Sequence, residues 1–180
     1  GDGLEEDAYG MRTMAEKLPE IVIASSCSKN FGLYRERTGS ITFITQTSEQ
    51  ATIVAAQAMS VARQLYSMPP AHGALLVSLI LGDEELCGDW KAELEEVRLR
   101  IKSMRTLLAD SIQDNALGMD FSHIKRQNGM FSFLGVKPEH LVRLREEFGI
   151  YIVSSTRVNL AGINSSNINY LAESIKAVLK

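Results

Sequence analysis

The sequence contains few cysteines and no long apolar run, and each scarcity excludes a class of protein. Its 180 residues include two cysteines, Cys27 and Cys87, which form no CxxC pair. Two thiols are too few for a disulfide-rich scaffold, so we expect structural thiols and a reducing cytoplasm. The longest apolar run, 74–81, is interrupted by Ser78 and is far shorter than the roughly 18 residues that cross a bilayer. We therefore expect no transmembrane segment.

Positive charge is also scarce, because 22 acidic residues against 19 basic ones give a formal net charge of -3. Nucleic-acid grooves and membrane-binding patches need a concentrated positive field. We therefore expect no nucleic-acid partner and no membrane binding, which leaves small-molecule chemistry open. The 45% of hydrophobic and 23% of charged residues are typical of a globular protein with a real core.

The first residues, 1–7, have no initiator methionine and none of the basic or apolar segments of a targeting signal. We expect the chain to be a piece of a longer protein whose core includes other segments.

Hydrophobic periodicity, capping residues and prolines predict the secondary structure. In the first half, the predicted elements are a helix at 7–18, a buried strand at 21–24, a strand at 40–45, helices at 51–65 and 71–81, and a long amphipathic helix at 84–113. In the second half, they are strands at 131–134, 150–153 and 157–160, a helix from Pro138 to Gly149, and a last helix with Ile168, Leu171, Ile175 and Val178 on one face. Thr47 and Gln50 fit a capping box before the predicted helix at 51–65.

The pattern predicts an α/β protein with two lobes, and the second lobe is of the α+β type. No Gly/Ser/Pro linker flanks the long helix, so we place the boundary inside it, between residues 1–95 and residues 96–180.

A polar segment containing Lys29 follows the strand at 21–24, and it combines three kinds of side chain. Ser26 precedes the lysine by three residues and Arg37 follows it by eight. A phosphate-bearing aldehyde needs an amine to condense with its carbonyl, and a cation with small hydroxyl donors to hold its dianion. Taken alone, a lysine is usually a solvated surface charge.

The string 26–39 closely resembles the cofactor-lysine signature of the class I aminotransferases, in the aspartate and aromatic-amino-acid branch. The resemblance implies that Lys29 bonds pyridoxal 5'-phosphate, and that Ser26 and Arg37 bind its phosphate. It implies the C-terminal portion of fold type I of the pyridoxal-phosphate-dependent transferases, in which a long helix joins part of the large cofactor-binding domain to an α+β small domain. It implies no metal site.

Three further segments resemble the same family in order and spacing. Arg157, in the segment 157–162, resembles the residue that binds the substrate α-carboxylate, and Phe131 resembles the aromatic residue that lines the substrate cleft. Arg63 resembles an arginine that binds a distal carboxylate across a homodimer. Without the resemblance, Arg157 would be interpreted as a surface arginine, Phe131 as core, and Arg63 as a cation at a helix C-terminus.

The sequence departs from the family pattern near both arginines. Thr156 stands where the family usually has glycine, and this substitution affects the backbone before Arg157. Leu65 and Met68 are apolar where close relatives often carry polar residues. We therefore expect a distal pocket that favours aromatic side chains more than strict aspartate enzymes do.

The function implied is transamination between aspartate or an aromatic amino acid and 2-oxoglutarate. The family is about twice this long, and several of its cofactor-binding residues lie upstream of this piece. We therefore expect the isolated chain to be inactive or nearly so, and its incomplete sheet to expose apolar edges. The alternative is a truncated, non-catalytic module that acts by dimerisation or by binding a partner.

Overall fold

The structure, a computed structural model, describes residues 1–114 and 118–180, which divide into two compact units. The first unit is Gly3–Leu94, and the second is Gly1–Asp2 together with Glu95–Lys180. The division falls inside the long helix α5, Glu84–Ile112. The assignment of 1–95 to a cofactor-binding domain and of 96–180 to a small domain stays a prediction, since compactness does not show what either part binds.

Six elements and the start of α5 build the first unit. They are helices α1 (Leu4–Asp7) and α2 (Tyr9–Lys17), strands β1 (Ile21–Ser26) and β2 (Gly39–Ile44), and helices α3 (Ser48–Tyr66) and α4 (His72–Gly82). The two strands pair antiparallel, with Ile21 opposite Ile44 and Ser26 opposite Gly39. The predicted elements of this half are all present, although the first helix is divided in two.

Helix α3 begins and ends as its sequence predicts. The Thr47 side chain accepts a hydrogen bond from the Gln50 backbone N–H, and the Gln50 side chain accepts one from the Thr47 N–H, which confirms the capping box. Arg63 lies in the last turn. The helix ends at Ser67, whose φ of 64° turns the chain before the two prolines.

The prediction that the strand at 21–24 is buried is wrong. Val22 on β1 is 60% exposed and Ile41 on β2 is 58% exposed. The sheet has only two strands, and within Gly3–Leu94 the buried residues are Ser28 and Gly73, neither of which is a large apolar residue. The expected exposure of apolar sheet residues is therefore confirmed.

The second unit contains the hydrophobic core. Its elements are the rest of α5, α6 (Ser122–Arg126), β3 (Phe131–Phe133), α7 (Pro138–Phe148), β4 (Arg157–Asn159), a 3-10 helix (Leu160–Gly162) and α8 (Ile168–Leu179). Strands β3 and β4 pair antiparallel, with Ser132 opposite Val158. The core joins α5, α7 and α8 through fully buried side chains such as Leu108, Leu144 and Ile175. Pro138 opens α7 and Gly149, with φ of 62°, closes it, both as predicted.

The predicted strand at 150–153 is absent from the second unit as described. The Ile150 N–H donates to Leu144 O and completes the end of α7, and the Thr156 N–H donates to Val153 O in a turn. Ile150 and Ile152 still pack partly against the core. The alternation of apolar residues at 150–153 therefore reflects partial burial of an extended segment that pairs with no strand in the described residues.

Within 1–114 and 118–180, no helix is both long and apolar enough to cross a membrane. In the same ranges, no group of histidine, cysteine and acidic residues has the arrangement of a metal site.

Candidate functional site

Lys29 lies in the connection between β1 and β2, residues 27–38, which we term the lysine loop. Antiparallel pairing brings the two ends of the loop together, and the Cys27 N–H donates to Thr38 O at 3.0 Å. Inside it, the Phe31 N–H donates to Cys27 O and the Gly32 N–H donates to Lys29 O, both at 3.3 Å. Gly32 has a φ of 66°, a conformation that glycine adopts without strain. The lysine is thus held in a folded turn at the end of a strand pair.

The Lys29 side chain is exposed, and it has no hydrogen-bond or ion-pair partner in the described parts of the chain. Its Nζ lies 5.7 Å from the centroid of the Tyr34 ring, within the range of a cation–π contact. The amine is therefore accessible to a carbonyl compound from solution.

Two hydroxyls and a guanidinium accompany the lysine. The Ser26 hydroxyl donates to Ser28 Oγ at 3.0 Å, and the Ser28 N–H donates to Ser26 Oγ at 3.2 Å. Arg37 lies next to Thr38, and its Nη1 donates to Tyr34 O at 3.0 Å. Within the described residues, its other guanidinium donors have no protein partner. A small anion with several acceptor oxygens fits such a set.

Ser28 was not among the residues predicted for the site. It is 3% exposed, the least accessible side chain of the first unit, and its hydroxyl lies beside that of Ser26. Ser28 could have been predicted from its position between Ser26 and Lys29 in the sequence. Side chains two residues apart in a short turn can lie close together.

Arg157 and Phe131 form a second cluster in the other unit. The register pairs Phe131 with Asn159 and Phe133 with Arg157, so the two side chains are diagonal neighbours across the strands. The Arg157 Cζ lies 4.7 Å from the centroid of the Phe131 ring. Such contacts stabilise an exposed pair by about 0.5–1 kcal/mol. Among the described residues, the guanidinium has no hydrogen-bonded partner, so its planar face of donors can bind a carboxylate.

Thr156, immediately before Arg157, adopts the left-handed conformation that glycine takes freely. Its φ is 65°, and it is 9% exposed. Its hydroxyl accepts a hydrogen bond from the Gly135 N–H at 3.1 Å, and its carbonyl accepts one from the Leu134 N–H at 3.0 Å. The backbone before Arg157 therefore keeps a glycine-like turn, with a β-branched residue in a strained region.

Arg105 on α5 fixes the segment that carries Phe131, and the predictions missed it. It is 2% exposed, and its guanidinium donates to four backbone carbonyls, those of Ile124, Asn128, Gly129 and Phe131. Burial lowers the pKa of the Arg105 guanidinium below its ordinary value. The sequence signal was an arginine at a helical position that otherwise belongs to the apolar stripe, four residues after Ile101 and three before Leu108.

Arg63 is exposed in the last turn of α3, and it has no ion pair or hydrogen bond from its side chain within the described chain. Leu65, Tyr66 and Met68 beside it are 75%, 56% and 76% exposed. The predicted role across a dimer and the alternative role at the helix terminus both stay predictions.

The structure thus groups the predicted site residues into two clusters. Ser26, Lys29 and Arg37 lie at one hairpin of the first unit, and Phe131 and Arg157 lie on neighbouring strands of the second. Their roles in binding stay predictions.

Comparison with known proteins gives one consistent family. The sequence profile described as "Aminotransferase class I and II" matches residues 1–175. The chain is 47% identical to an aromatic-amino-acid aminotransferase of Pseudomonas aeruginosa over 178 residues, 99% of this chain and 45% of the relative. It is 48% identical to an aspartate aminotransferase of Escherichia coli over 177 residues, 98% of this chain and 45% of the relative.

A solved structure agrees with these relatives. The aromatic-amino-acid aminotransferase from Burkholderia pseudomallei, described as covalently bound to pyridoxal phosphate, superposes with a TM-score of 0.93 and 42% identity. The match covers 100% of this chain and 45% of that one. The chain therefore spans a little under half the length of the relatives it matches.

Proposed function

The chain belongs to the class I and II aminotransferase family, and we propose that it supplies the cofactor lysine and the carboxylate-binding arginine of a pyridoxal-phosphate-dependent transaminase. The predicted fold class, a part of fold type I, is confirmed by the match to solved family members. The observation that carries the proposal is the hairpin of β1 and β2, which holds an exposed lysine amine, a hydrogen-bonded pair of serine hydroxyls and an arginine guanidinium.

The donor set of the lysine loop fits pyridoxal phosphate. The Lys29 amine suits its aldehyde, while the Ser26 and Ser28 hydroxyls and the Arg37 guanidinium suit its phosphate dianion. When bound, the cofactor supplies an electron sink that makes the α-proton of an amino acid acidic. A related solved enzyme is described with this cofactor covalently bound.

Lys29 has two roles in the proposed reaction. Its Nζ would hold the cofactor aldehyde covalently while no substrate is bound. When free, the Nζ would accept the proton from the substrate α-carbon as a general base and give it back as a general acid. In the overall exchange, the donor amino acid leaves as its 2-oxo acid and 2-oxoglutarate takes up the amino group and leaves as glutamate.

Arg157 binds the α-carboxylate of the substrate. A planar guanidinium contacts a carboxylate through two parallel hydrogen bonds, and charged hydrogen bonds contribute about 1.5–3 kcal/mol each. The Phe131 ring restricts the orientation of the guanidinium before the substrate arrives. The Arg157 side chain therefore loses less orientational freedom when the carboxylate binds.

The substrate class we assign is aspartate and the aromatic amino acids, with aromatic side chains favoured more than in strict aspartate enzymes. Relatives with either name match this chain with similar identity. In this proposal, Arg63 of one protomer of a homodimer binds the distal carboxylate of aspartate in the active site of the other protomer. Leu65 and Met68 beside it are apolar and exposed, and they favour an aromatic side chain. Turnover of aspartate by the longer enzyme, with rejection of phenylalanine and tyrosine, would contradict this preference.

The 180 residues alone are expected to turn over little or no substrate, because the chain spans 45% of its relatives. A second candidate function is a non-catalytic dimerisation module, favoured by the absence of buried large apolar residues in Gly3–Leu94. Sedimentation of the chain across a range of concentrations tests association. Both cysteines are free, which fits the proposed cytoplasmic location.

Reductive trapping tests the cofactor site. The chain is mixed with pyridoxal phosphate, reduced with borohydride and mapped by peptide mass spectrometry. We expect the label on Lys29 to exceed that on every other lysine, and Lys29→Arg to abolish this excess. Arg37→Gln should weaken labelling by pyridoxal phosphate but not by pyridoxal, which has no phosphate. Equal labelling of all lysines would refute the cofactor site.

A further inference from the structure

Trp90, on α5, contacts the lysine loop immediately after Lys29. Its indole Nε1 donates to the Asn30 carbonyl at 2.8 Å. Its ring stacks on Phe31, with centroids 4.6 Å apart and planes 11° from parallel. The sequence predicted Trp90 only as part of the long amphipathic helix at 84–113, but its contacts are with the two residues that follow the lysine.

The opposite arm of the loop is fixed by α4. Gly73, near the start of that helix, is buried, and a Cβ at this position would lie 1.9 Å from Thr38 Oγ1 and 2.8 Å from Glu36 Cβ. Glu36 and Thr38 flank Arg37. The helix therefore approaches this arm as closely as a glycine allows.

Few other hydrogen bonds restrain the part of the lysine loop that lies between the Trp90 contacts and the contacts of α4 in the described residues. The Lys29 side chain has no hydrogen bond in the described residues. The turn is closed by three backbone hydrogen bonds, from the Phe31, Gly32 and Tyr34 N–H groups, with lengths of 3.3, 3.3 and 3.1 Å. Gly32 adds backbone freedom at the turn. Among the hydrogen bonds and ring contacts of the described residues, those that reach Asn30 and Phe31 from outside the loop come from the indole of Trp90.

We propose that Trp90 is a positioning residue for Lys29, whose indole fixes the backbone after the lysine so that the amine is presented to the cofactor aldehyde. The anchoring role stands on the contacts of the first unit alone, whereas its consequence for the cofactor rests on the proposed function. A covalent reaction depends steeply on the orientation of its groups, so loosening the turn lowers the yield at Lys29.

Trp90 can be tested without any cofactor, because it is the one tryptophan in the sequence. Trp90→Leu removes both the donor and the stack, and Trp90→Phe keeps a ring that can stack. We expect the Phe31 and Gly32 amides to exchange with solvent on the order of tenfold faster in Trp90→Leu than in the parent chain. Trp90→Phe should recover part of the protection. Unchanged exchange in Trp90→Leu would overturn the proposal.

A second readout follows Lys29 itself. The ratio of label on Lys29 to label on the other lysines should fall roughly fivefold in Trp90→Phe and on the order of tenfold in Trp90→Leu. Because Trp90 positions the amine and does not bind the phosphate, the labelling ratio should fall by the same factor with pyridoxal as with pyridoxal phosphate. Arg37→Gln instead affects only the phosphate form.

Tyr9→Leu is the matched control, since Tyr9 is an aromatic residue of the same unit that is 73% exposed. It should change neither readout, and far-UV circular dichroism should confirm equal helix content in all variants. If the parent chain shows no excess of label on Lys29, the proposed function fails and the amide exchange still decides the anchoring. If the parent shows the excess and Trp90→Leu retains it, the inference about Trp90 is wrong.

Discussion

Arg105→Met replaces a buried cation by an apolar side chain of similar length, and we expect it to destabilise the second unit severely. Arg105 is 2% exposed, and its counterparts are backbone carbonyls of residues 124–131. The substitution leaves four carbonyls without their donor. These carbonyls belong to the segment that leads into β3. We therefore expect the loss of stability to be greatest near the strand that carries Phe131.

The magnitude follows from the burial of the group. Leaving a buried carbonyl without its donor costs about 1–3 kcal/mol, so the loss of four such partners costs roughly 3–5 kcal/mol, because the part-buried carbonyls regain some water. A domain has roughly 5–15 kcal/mol of stability in total. Arg105→Lys keeps the charge but has three donors on a compact ammonium, so we expect a smaller loss of about 1–3 kcal/mol.

Native-state hydrogen exchange measures this loss where it occurs. The Leu160 N–H donates to Met130 O at 2.8 Å and the Leu134 N–H to Thr156 O at 3.0 Å, so both amides report opening of the second unit. We expect their exchange in Arg105→Met to rise by roughly two to three powers of ten. The matched control is Arg100→Met.

Arg100 also donates to two backbone carbonyls, those of Ala161 and Ile163, but its side chain is exposed. We expect its removal to cost less than about 1.5 kcal/mol, because water replaces it. Equal exchange rates in the two methionine variants would show that burial of the Arg105 charge is not what makes its hydrogen bonds important.

Substitutions at three further positions test other features of the second unit. Thr156→Gly should be more stable than Thr156→Ala by about 1–2 kcal/mol in urea unfolding, because alanine keeps the strained φ of 65°. Leu144→Ala, at a site with 0% exposure, should cost about 2–5 kcal/mol in the same assay. Hydrogen bonds from the Ser122 hydroxyl and N–H lower the pKa of the Asp120 carboxyl, so its stabilising effect is present above a pH of about 4 and is lost as the pH falls through the lowered pKa. The unfolding midpoints of the parent and Asp120→Asn should therefore converge in acid, and a constant difference would contradict this.

Local signals predicted the ends of elements well. The capping box at Thr47 and Gln50, and the proline and glycine that bound α7, are confirmed because each acts through backbone groups only a few residues away. Ser26, Lys29 and Arg37 of the predicted motif lie in one hairpin, because the pairing of β1 with β2 brings the two ends of their short connection together.

Features that depend on distant parts of the chain were not predicted. The segment 150–153 has the alternation of a strand, but strand formation needs a partner that its sequence does not specify. Burial of β1 was inferred from its apolar run, although burial requires neighbouring layers that the first unit does not contain. Trp90 and Arg105 act on residues 60 and 24 positions away, and periodicity along one helix carries no information about such contacts.

The uneven distribution of buried apolar side chains has a thermodynamic consequence. Unfolding raises the heat capacity in proportion to the apolar surface that becomes hydrated. Gly3–Leu94 has little such surface to expose, so its unfolding should carry a small heat capacity increment and a shallow dependence on denaturant. Glu95–Lys180 should account for most of the curvature in a calorimetric trace.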